Sequence, residues 1–565
     1  MWAQALALII ALDVVGKMAP LPSGVTTTPG ESVTRAEALE LMKEPAGSLS
    51  LGWTSSGALR HAVKLELSGP GYAFLRKIRG RRTHFGTEEM DGFVSRVGAR
   101  VRATHDGTIM AVGNVSLRSG GRSRWHRSHQ TGRDVDIAMF ALDRRGEAVN
   151  PSRFRHYGPD LESRDGRGMS FDPERNLSLV LAMLEDMDVG VQWIFCAEYL
   201  KQAMIAAAQG RGLDESVIER LSSVVHQPTD ALPHDDHFHV RLYCSVEDRL
   251  YGCLDRPPLW KWVDRGEEAY GARVRALSRI LAHEALDLRL DAVAWLNRIR
   301  ARAAVPALVE LLEDAEPRLA KASLRALKSI GDAAAIPGLL GAISRAGDRA
   351  WSVKLFRAMT AFWSQDSLQV AKGFLADPSK IIHPELGDGD LSSYLETSAV
   401  LVERLGTLDD ARALLPLLAH GDRGVRIAAE RALIRITAHT RRLAAASAKG
   451  ARRARLRRLW TELLDGAEDW RSLQVAGLRR AGHRLPEELS TAQGIGVLIA
   501  AVGDKRKHIS HTAVRLLSSV TGHEVEPYYR SRRALKRHWR RWWDQHGEGW
   551  RELPTAEPAT IEGAP

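Results

Sequence analysis

"HRSHQTGRDVDIAM", residues 126–139, places two histidines and two aspartates within eleven residues. Side chains of a strand alternate between its two faces. Read as a strand, "DVDIAM" therefore puts Asp134 and Asp136 on one face and Val135, Ile137 and Met139 on the other. "HDDHFHVRLYC", residues 234–244, repeats the pattern: His237 and His239 share a face, opposed by Phe238 and Val240. Two strands that each offer imidazole or carboxylate from one face can surround a metal ion. Mixed nitrogen and oxygen ligands with one open position describe a catalytic zinc site, whereas a closed structural site more often uses cysteines, and the chain has no CxxC pair. Any one of these histidines reads equally well as a satisfied core or surface residue. Five of the twenty histidines fall in these two segments together with four aspartates, which argues for a shared task.

Around these segments the texture is mixed from about residue 46 to 255. "HAVKLEL", "RVRATHDGTIMAVG" and "HFHVRLY" have strand character, while "NLSLVLAMLEDM" and "AEYLKQAMIAAAQ" have helical spacing, an α+β pattern. The 565 residues are too many for one ordinary core. A formal net charge of +11 implies attraction to anionic partners such as nucleic acid, acidic lipid or a cell-wall polymer, without choosing among them. "ALALIIAL", residues 5–12, reads as the apolar core of an export signal or as a buried helix, although no Lys or Arg precedes it. No apolar run reaches the roughly 18 residues needed to span a bilayer. Three cysteines are too few for a disulfide scaffold; the spacing of Cys244 and Cys253 permits a bridge, and Cys196 reads as a buried thiol.

After "DRPPLWKW", residues 255–262, amphipathic helices joined by short turns take over. Aligning Pro306 with Pro337 sets Val293 on Leu324, Leu296 on Leu327, Ile299 on Ile330, Val305 on Ile336 and Leu308 on Leu339, a repeat with a period of 31. A third instance surrounds Pro416. Such helix pairs stack, each leaving an apolar face for its neighbour to cover, and this half of the chain resembles HEAT-like helical repeats. Trp539, Trp542 and Trp543 read as a seal on the last apolar face rather than as a ligand platform.

"SHQTGRDVDI" and "HDDHFHVRLYC" closely resemble the penicillin-insensitive murein endopeptidases, zinc peptidases of the LAS type that cut peptide crosslinks of peptidoglycan. "SLGWTSSGALRHAVKLELSGPGY", "VSLRSGG" and "FDPERNLSLVLAMLEDMDVGVQWIF" carry the resemblance over residues 46–255. It implies one zinc ion held by His129, Asp136 and His239, with His237 as the base or transition-state stabiliser and His126 and His234 lining the cleft. Asp134 shares the face of Asp136 and is a candidate for orienting a ligand imidazole, with structural solvation as the alternative; Asp235 and Asp236 read as turn formers.

The expected architecture is a LAS-type α+β zinc peptidase domain at 46–262, preceded by an export signal and linker at 1–45. An all-α HEAT-like solenoid at 263–550 and a tail at 551–565 follow. The expected function is metal-dependent hydrolysis of murein crosslinks in the periplasm or cell envelope, with stem peptides as substrate and the repeats binding the wall or an envelope protein. A D-Ala-D-Ala carboxypeptidase on the same site is one alternative. A helical-repeat scaffold is the other, since "ARRARLRR" (451–458) and "YYRSRRALKRHWRRWW" (528–543) carry base and aromatics that suit nucleic acid, anionic lipid or glycan. An intact peptidase motif in the same chain makes nucleic acid the minor partner.

Overall fold

The computed structural model describes residues 33–228, 233–362, 364–377, 388–439, 449–466, 469–523, 525 and 531–547. The apolar run at 5–12 and the tail at 551–565 lie outside the described residues. The chain divides into two compact units between Ala304 and Val305.

A seven-stranded sheet organises the first unit. Its order from one edge is Val225–His226, Val191–Phe195, His237–Leu242, Asp134–Ala138, Met110–Val112, Tyr72–Phe74 and Ser68–Gly69. The two segments singled out in the sequence are thus adjacent strands near the centre, paired antiparallel. Alternation places Val135, Ile137, Phe238 and Val240 in the core, where all are fully buried. Helices Glu88–Thr104, Pro173–Leu184, Glu198–Gly210 and Glu215–Val224 complete the apolar layer through Phe93, Val97, Leu177, Leu200 and Leu221.

Two strand readings give way to local periodicity. Of "RVRATHDGTIMAVG", only Met110–Val112 is extended. Arg100–Thr104 closes the helix Glu88–Thr104, whose Val94, Val97 and Val101 recur at helical spacing on the buried face. A stripe at i, i+3 and i+7 buries more apolar surface in a helix than β-branching gains in a strand. In "HAVKLEL" only Val63–Lys64 is extended, paired with Phe85–Gly86.

Behind the site, Arg133 is buried and spans several elements. It donates to Ser50 Oγ at 3.1 Å, to the Leu242 carbonyl at 2.7 Å and to Asp255 Oδ1 at 3.1 Å. Asp255 in turn accepts from the Cys244 amide. Cys244 and Cys253 form a disulfide with Cα atoms 5.8 Å apart, and Cys196 is a buried free thiol.

Helices Glu267–Ile280 and Leu286–Arg298 have the repeat texture yet lie within the first unit. Trp295 meets Tyr251 edge-on with centroids 5.9 Å apart, the Arg273 guanidinium sits 4.2 Å from the Tyr251 ring, and Arg298 pairs with Glu44 at 2.6 Å.

The second unit is helical among the described residues. Pro337 stands in the first turn of Ile336–Arg345, and Pro317 opens Pro317–Ile330, where a missing amide hydrogen costs nothing. Gly331 ends that helix in the left-handed conformation at φ 72°. The aligned Leu308 and Leu339 are both fully buried, as are Leu327 and Ile336. Trp539 is buried in an apolar cluster with Leu498, Leu517 and Leu535, which is a packing role. The arginine run at 451 opens the helix Ala451–Asp465, which buries Leu456, Trp460 and Leu464 and exposes Arg452, Arg455, Arg457 and Arg458. No helix of the described residues is long and apolar enough to cross a membrane.

Candidate metal centre

Strand register sets the site. His239 lies directly opposite Asp136, with His237 opposite Ala138 and Arg241 opposite Asp134. Cross-strand neighbours on one face sit within side-chain reach. His129 joins them from the loop before the strand. Its backbone is left-handed at φ 62°, a strained conformation for a histidine, and its amide donates to Asp134 Oδ2 at 2.9 Å.

Three donor atoms meet here. His129 Nε2 is 3.1 Å from Asp136 Oδ1 and 3.3 Å from His239 Nδ1, and His239 Nδ1 is 3.5 Å from Asp136 Oδ1. A tetrahedral ion with bonds of about 2.0–2.1 Å keeps its ligand atoms about 3.3–3.4 Å apart, so the triangle has the dimensions of a zinc site. Asp136 Oδ1 is buried without a hydrogen bond, as is Nε2 of His126, which lies 3.5 Å from Asp136 Oδ2. Buried polar atoms without partners are costly, and a cation held by Asp136 Oδ1 satisfies that oxygen. His126, His129 and Asp136 form an overlapping group of donors within 4.8 Å of one another.

The remaining atoms of the three side chains are tied down. His129 Nδ1 lies 2.6 Å from the Val115 carbonyl, which fixes the ring with Nε2 inward. Asp136 Oδ2 accepts from Asn114 Nδ2 at 3.1 Å, leaving Oδ1 toward the cluster. His239 Nε2 lies 3.3 Å from Asp134 Oδ1, which also accepts from Arg241 Nε at 2.7 Å. Asp134 therefore contacts both the His129 amide and the His239 ring, the kind of contact that can orient an imidazole toward a metal. A β-carbon at Gly113 would meet the Phe154 ring at 2.4 Å and Asp136 Cβ at 2.9 Å, so only glycine lets these residues close around the carboxylate.

Charge in the cluster follows burial and neighbours. Burial opposes ionisation of Asp136, but the imidazoles of His129 and His237 outweigh it and hold the carboxyl well below its usual range. Burial pushes His239 down to about 3 and, with the neighbouring His129, His126 down to about 4. Ionised carboxylate and neutral imidazole are the forms that bind a metal; His129 departs from this, since Asp136 raises it against the effect of burial.

His237 behaves differently. Against the effect of burial, Asp136 and Asp236 raise it to about 10. Its Nε2 lies 3.4 Å from Asp136 Oδ1, and its Nδ1 is 2.6 Å from Asp236 Oδ1. The Phe154 ring stacks on it with centroids 4.6 Å apart. The sequence reads Asp236 as a turn former; an acid beside a histidine in a turn gives no sign of the ring it will hold. The turn itself is anchored by Arg155 and Tyr157, whose amides donate to the carbonyls of Asp236 and Asp235. His156, exposed, and the half-buried Asp235 and Asp236 make a second donor group in which His156 Nδ1 and Asp235 Oδ1 are 2.8 Å apart. His234 lies edge-on to both His237 and His239. The side chains of His126 and His237 are 19% and 15% exposed, whereas His129, Asp136 and His239 are buried.

A donor cluster raised on two sheet strands can hold a metal ion, and comparison with known proteins shows what the domain is similar to. Residues 50–267 match the family model described as penicillin-insensitive murein endopeptidase, and residues 274–354 match the HEAT repeat model. The first unit thus carries a peptidase domain of the penicillin-insensitive murein endopeptidase family, followed by HEAT repeats. The penicillin-insensitive murein endopeptidase of Escherichia coli O157:H7 (strain EC4115 / EHEC) is 27% identical over 246 residues, which is 43% of this chain and 81% of that protein. The protein of the same name from Shigella boydii serotype 18 is 27% identical over 236 residues, covering 42% of this chain and 77% of the relative. A crystal structure of an engineered protein aligns with 62% of this chain and 85% of its own at 15% identity and a TM-score of 0.20, too distant to bear on the fold.

Proposed function

We propose that the chain is a zinc-dependent peptidoglycan endopeptidase that hydrolyses the peptide crosslinks of murein, with one zinc ion held by His129, Asp136 and His239. The observation that carries this reading is the triangle of donor atoms with zinc-like edges, one of them a buried carboxylate oxygen without a hydrogen bond, in a domain similar to murein endopeptidases. When bound, zinc supplies a Lewis acid that acidifies water and polarises the scissile carbonyl.

The protein's residues do the rest. Asp134, Asn114 and the Val115 carbonyl keep the three donor side chains in one orientation. Asp236 holds Nδ1 of His237, so Nε2 is the atom that gives a proton to the leaving amine or a hydrogen bond to the developing oxyanion. His126 and His234 line the cleft that receives the peptide. Burial pushes the Cys196 thiol up, which removes the one free cysteine as a rival nucleophile. The Cys244–Cys253 disulfide suits the oxidising cell envelope. The repeats serve for attachment to the wall or to an envelope protein through their stacked helices and exposed arginines.

Mass spectrometry of muropeptides before and after incubation with zinc-loaded protein tests the reading. Conversion of crosslinked dimers to monomers is the expected result. Loss of single D-Ala residues from uncrosslinked stems, with dimers intact, makes the site a carboxypeptidase instead.

A further inference from the structure

The loop that leads into the metal centre has a composition that metal binding does not require. From Gly107 to Arg133 the chain contains no Asp or Glu, and Arg118, Arg122, Arg124 and Arg127 are all exposed. Several other arginines of the first unit are matched, among them Arg133 with Asp255, Arg96 with Asp186 and Arg175 with Asp172. None of the four loop arginines has an ion pair or a side-chain hydrogen bond among the described residues, so their charge is uncompensated on the segment that also supplies His126 and His129.

This loop is held in place. Ser119 accepts from the Leu59 amide at 3.1 Å, Gly121 donates to the Gln130 carbonyl at 2.9 Å, and the His126 amide donates to Ser123 Oγ at 3.1 Å. Gly120 is left-handed at φ 66°, and a β-carbon there would lie 2.2 Å from the Gln130 carbonyl oxygen, so the loop is pressed against the residue that follows His129. The Arg124 and Arg81 guanidiniums rest on Trp125, 4.6 and 5.2 Å from its ring. Arg118 also borders a surface cleft of about 520 Å³ walled by Leu59, Arg60 and His61. Guanidiniums recognise carboxylates through paired, charge-assisted hydrogen bonds.

We infer that Arg118, Arg122, Arg124 and Arg127 form a carboxylate-reading rim, which selects crosslinked stem peptides that keep their free carboxylates over those in which the carboxylates are amidated. The inference rests on the murein reading above and adds the feature of the substrate that is recognised.

The test uses full-length, zinc-loaded protein and two soluble crosslinked dimers, one with free carboxylates and one amidated. Binding is read by calorimetry in a His237→Ala background, apart from turnover, and KM and kcat are read in the parent protein. The free dimer is expected to bind about tenfold or more tighter than the amidated one. A combined Arg118→Gln, Arg122→Gln and Arg127→Gln variant, at exposed positions that leave zinc content intact, is expected to bring that ratio near one, chiefly through KM. Equal binding of the two dimers by the parent, binding of neither, or an undiminished preference in the triple variant overturns the rim. Selective binding that the triple variant loses, with neither dimer cleaved by the parent, upholds the rim and overturns the endopeptidase reading instead.

Discussion

His239 and Asp136 face each other across adjacent antiparallel strands, and two residues along the same pair of strands Arg241 faces Asp134. The first pair offers donor atoms to the centre, and the second steadies the first. Asp134 accepts from Arg241 Nε and the His129 amide and lies within hydrogen-bond reach of His239 Nε2. Replacing it should therefore loosen the metal without removing a ligand. For Asp134→Asn we expect zinc affinity to fall by about 10- to 100-fold, read by competition with a chromogenic chelator. Unchanged affinity would reduce Asp134 to a partner of Arg241 alone.

His237 and Asp236 should separate cleanly from the ligands. His237→Ala is expected to keep its zinc while kcat for dimer cleavage falls by roughly a hundredfold or more. Asp236→Asn, which keeps the side chain's shape but weakens its hold on Nδ1 of His237, should lower kcat by about tenfold with KM little altered. Zinc loss in His237→Ala equal to that of a ligand variant would show that the ring binds the ion directly.

The sequence made the paired faces legible because a strand's period of two is strict and each strand sets apolar residues against ligand-type residues. Val135 and Ile137 against Asp134 and Asp136, and Phe238 and Val240 against His237 and His239, define the sheet's central rungs before any coordinates. The contributions of Asn114, Val115 and Phe154 were not legible. Asn114 and the Val115 carbonyl reach the site from a neighbouring segment, and Phe154 from an excursion between strands, so no local pattern marks them. The sequence places the repeat texture from about residue 263 and the HEAT repeat model matches from residue 274, while the compact first unit runs on to Ala304. Helices 267–280 and 286–298 look like the repeats that follow, and only tertiary contacts such as Arg298 with Glu44 place them with the first unit.

Those contacts make truncation informative. A fragment ending at Ala304 retains Trp295 on Tyr251 and Arg298 on Glu44, whereas one ending at Trp262 loses both and the buried Val274, Leu277, Leu288 and Leu296. The longer fragment should fold and bind zinc, and the shorter should melt about 10 °C or more below it by circular dichroism. Equal melting temperatures would mean that the two helices contribute nothing to the first unit's stability.

In the second unit, Asp504 ties together the turn before the helix Lys507–Thr521. It accepts from the Arg506 amide at 2.8 Å and from Arg506 Nη2 at 2.7 Å, with His483 Nε2 3.0 Å away. Against burial, these partners hold its carboxyl well below the usual range. A lowered folded-state value means that the stabilisation is complete above the ordinary carboxylate range and is lost as pH falls through it and below. Asp504→Asn should destabilise the protein by about 1–3 kcal/mol at pH 7, with the difference from the parent shrinking as the pH is lowered toward about 2. A penalty independent of pH would show that the geometry of the turn, and not the charge, is what matters.

Metal stoichiometry tests the central claim most directly. Purified full-length protein and its His129→Ala, Asp136→Ala, His239→Ala and His126→Ala variants would be loaded with zinc, desalted, and measured by plasma mass spectrometry, with melting curves to confirm folding. The account predicts one zinc per parent chain, loss of zinc together with crosslink cleavage in the first three variants, and retained zinc in His126→Ala. Full zinc content in folded His239→Ala, with loss in His126→Ala, would contradict it and move the ion to the overlapping group of His126, His129 and Asp136.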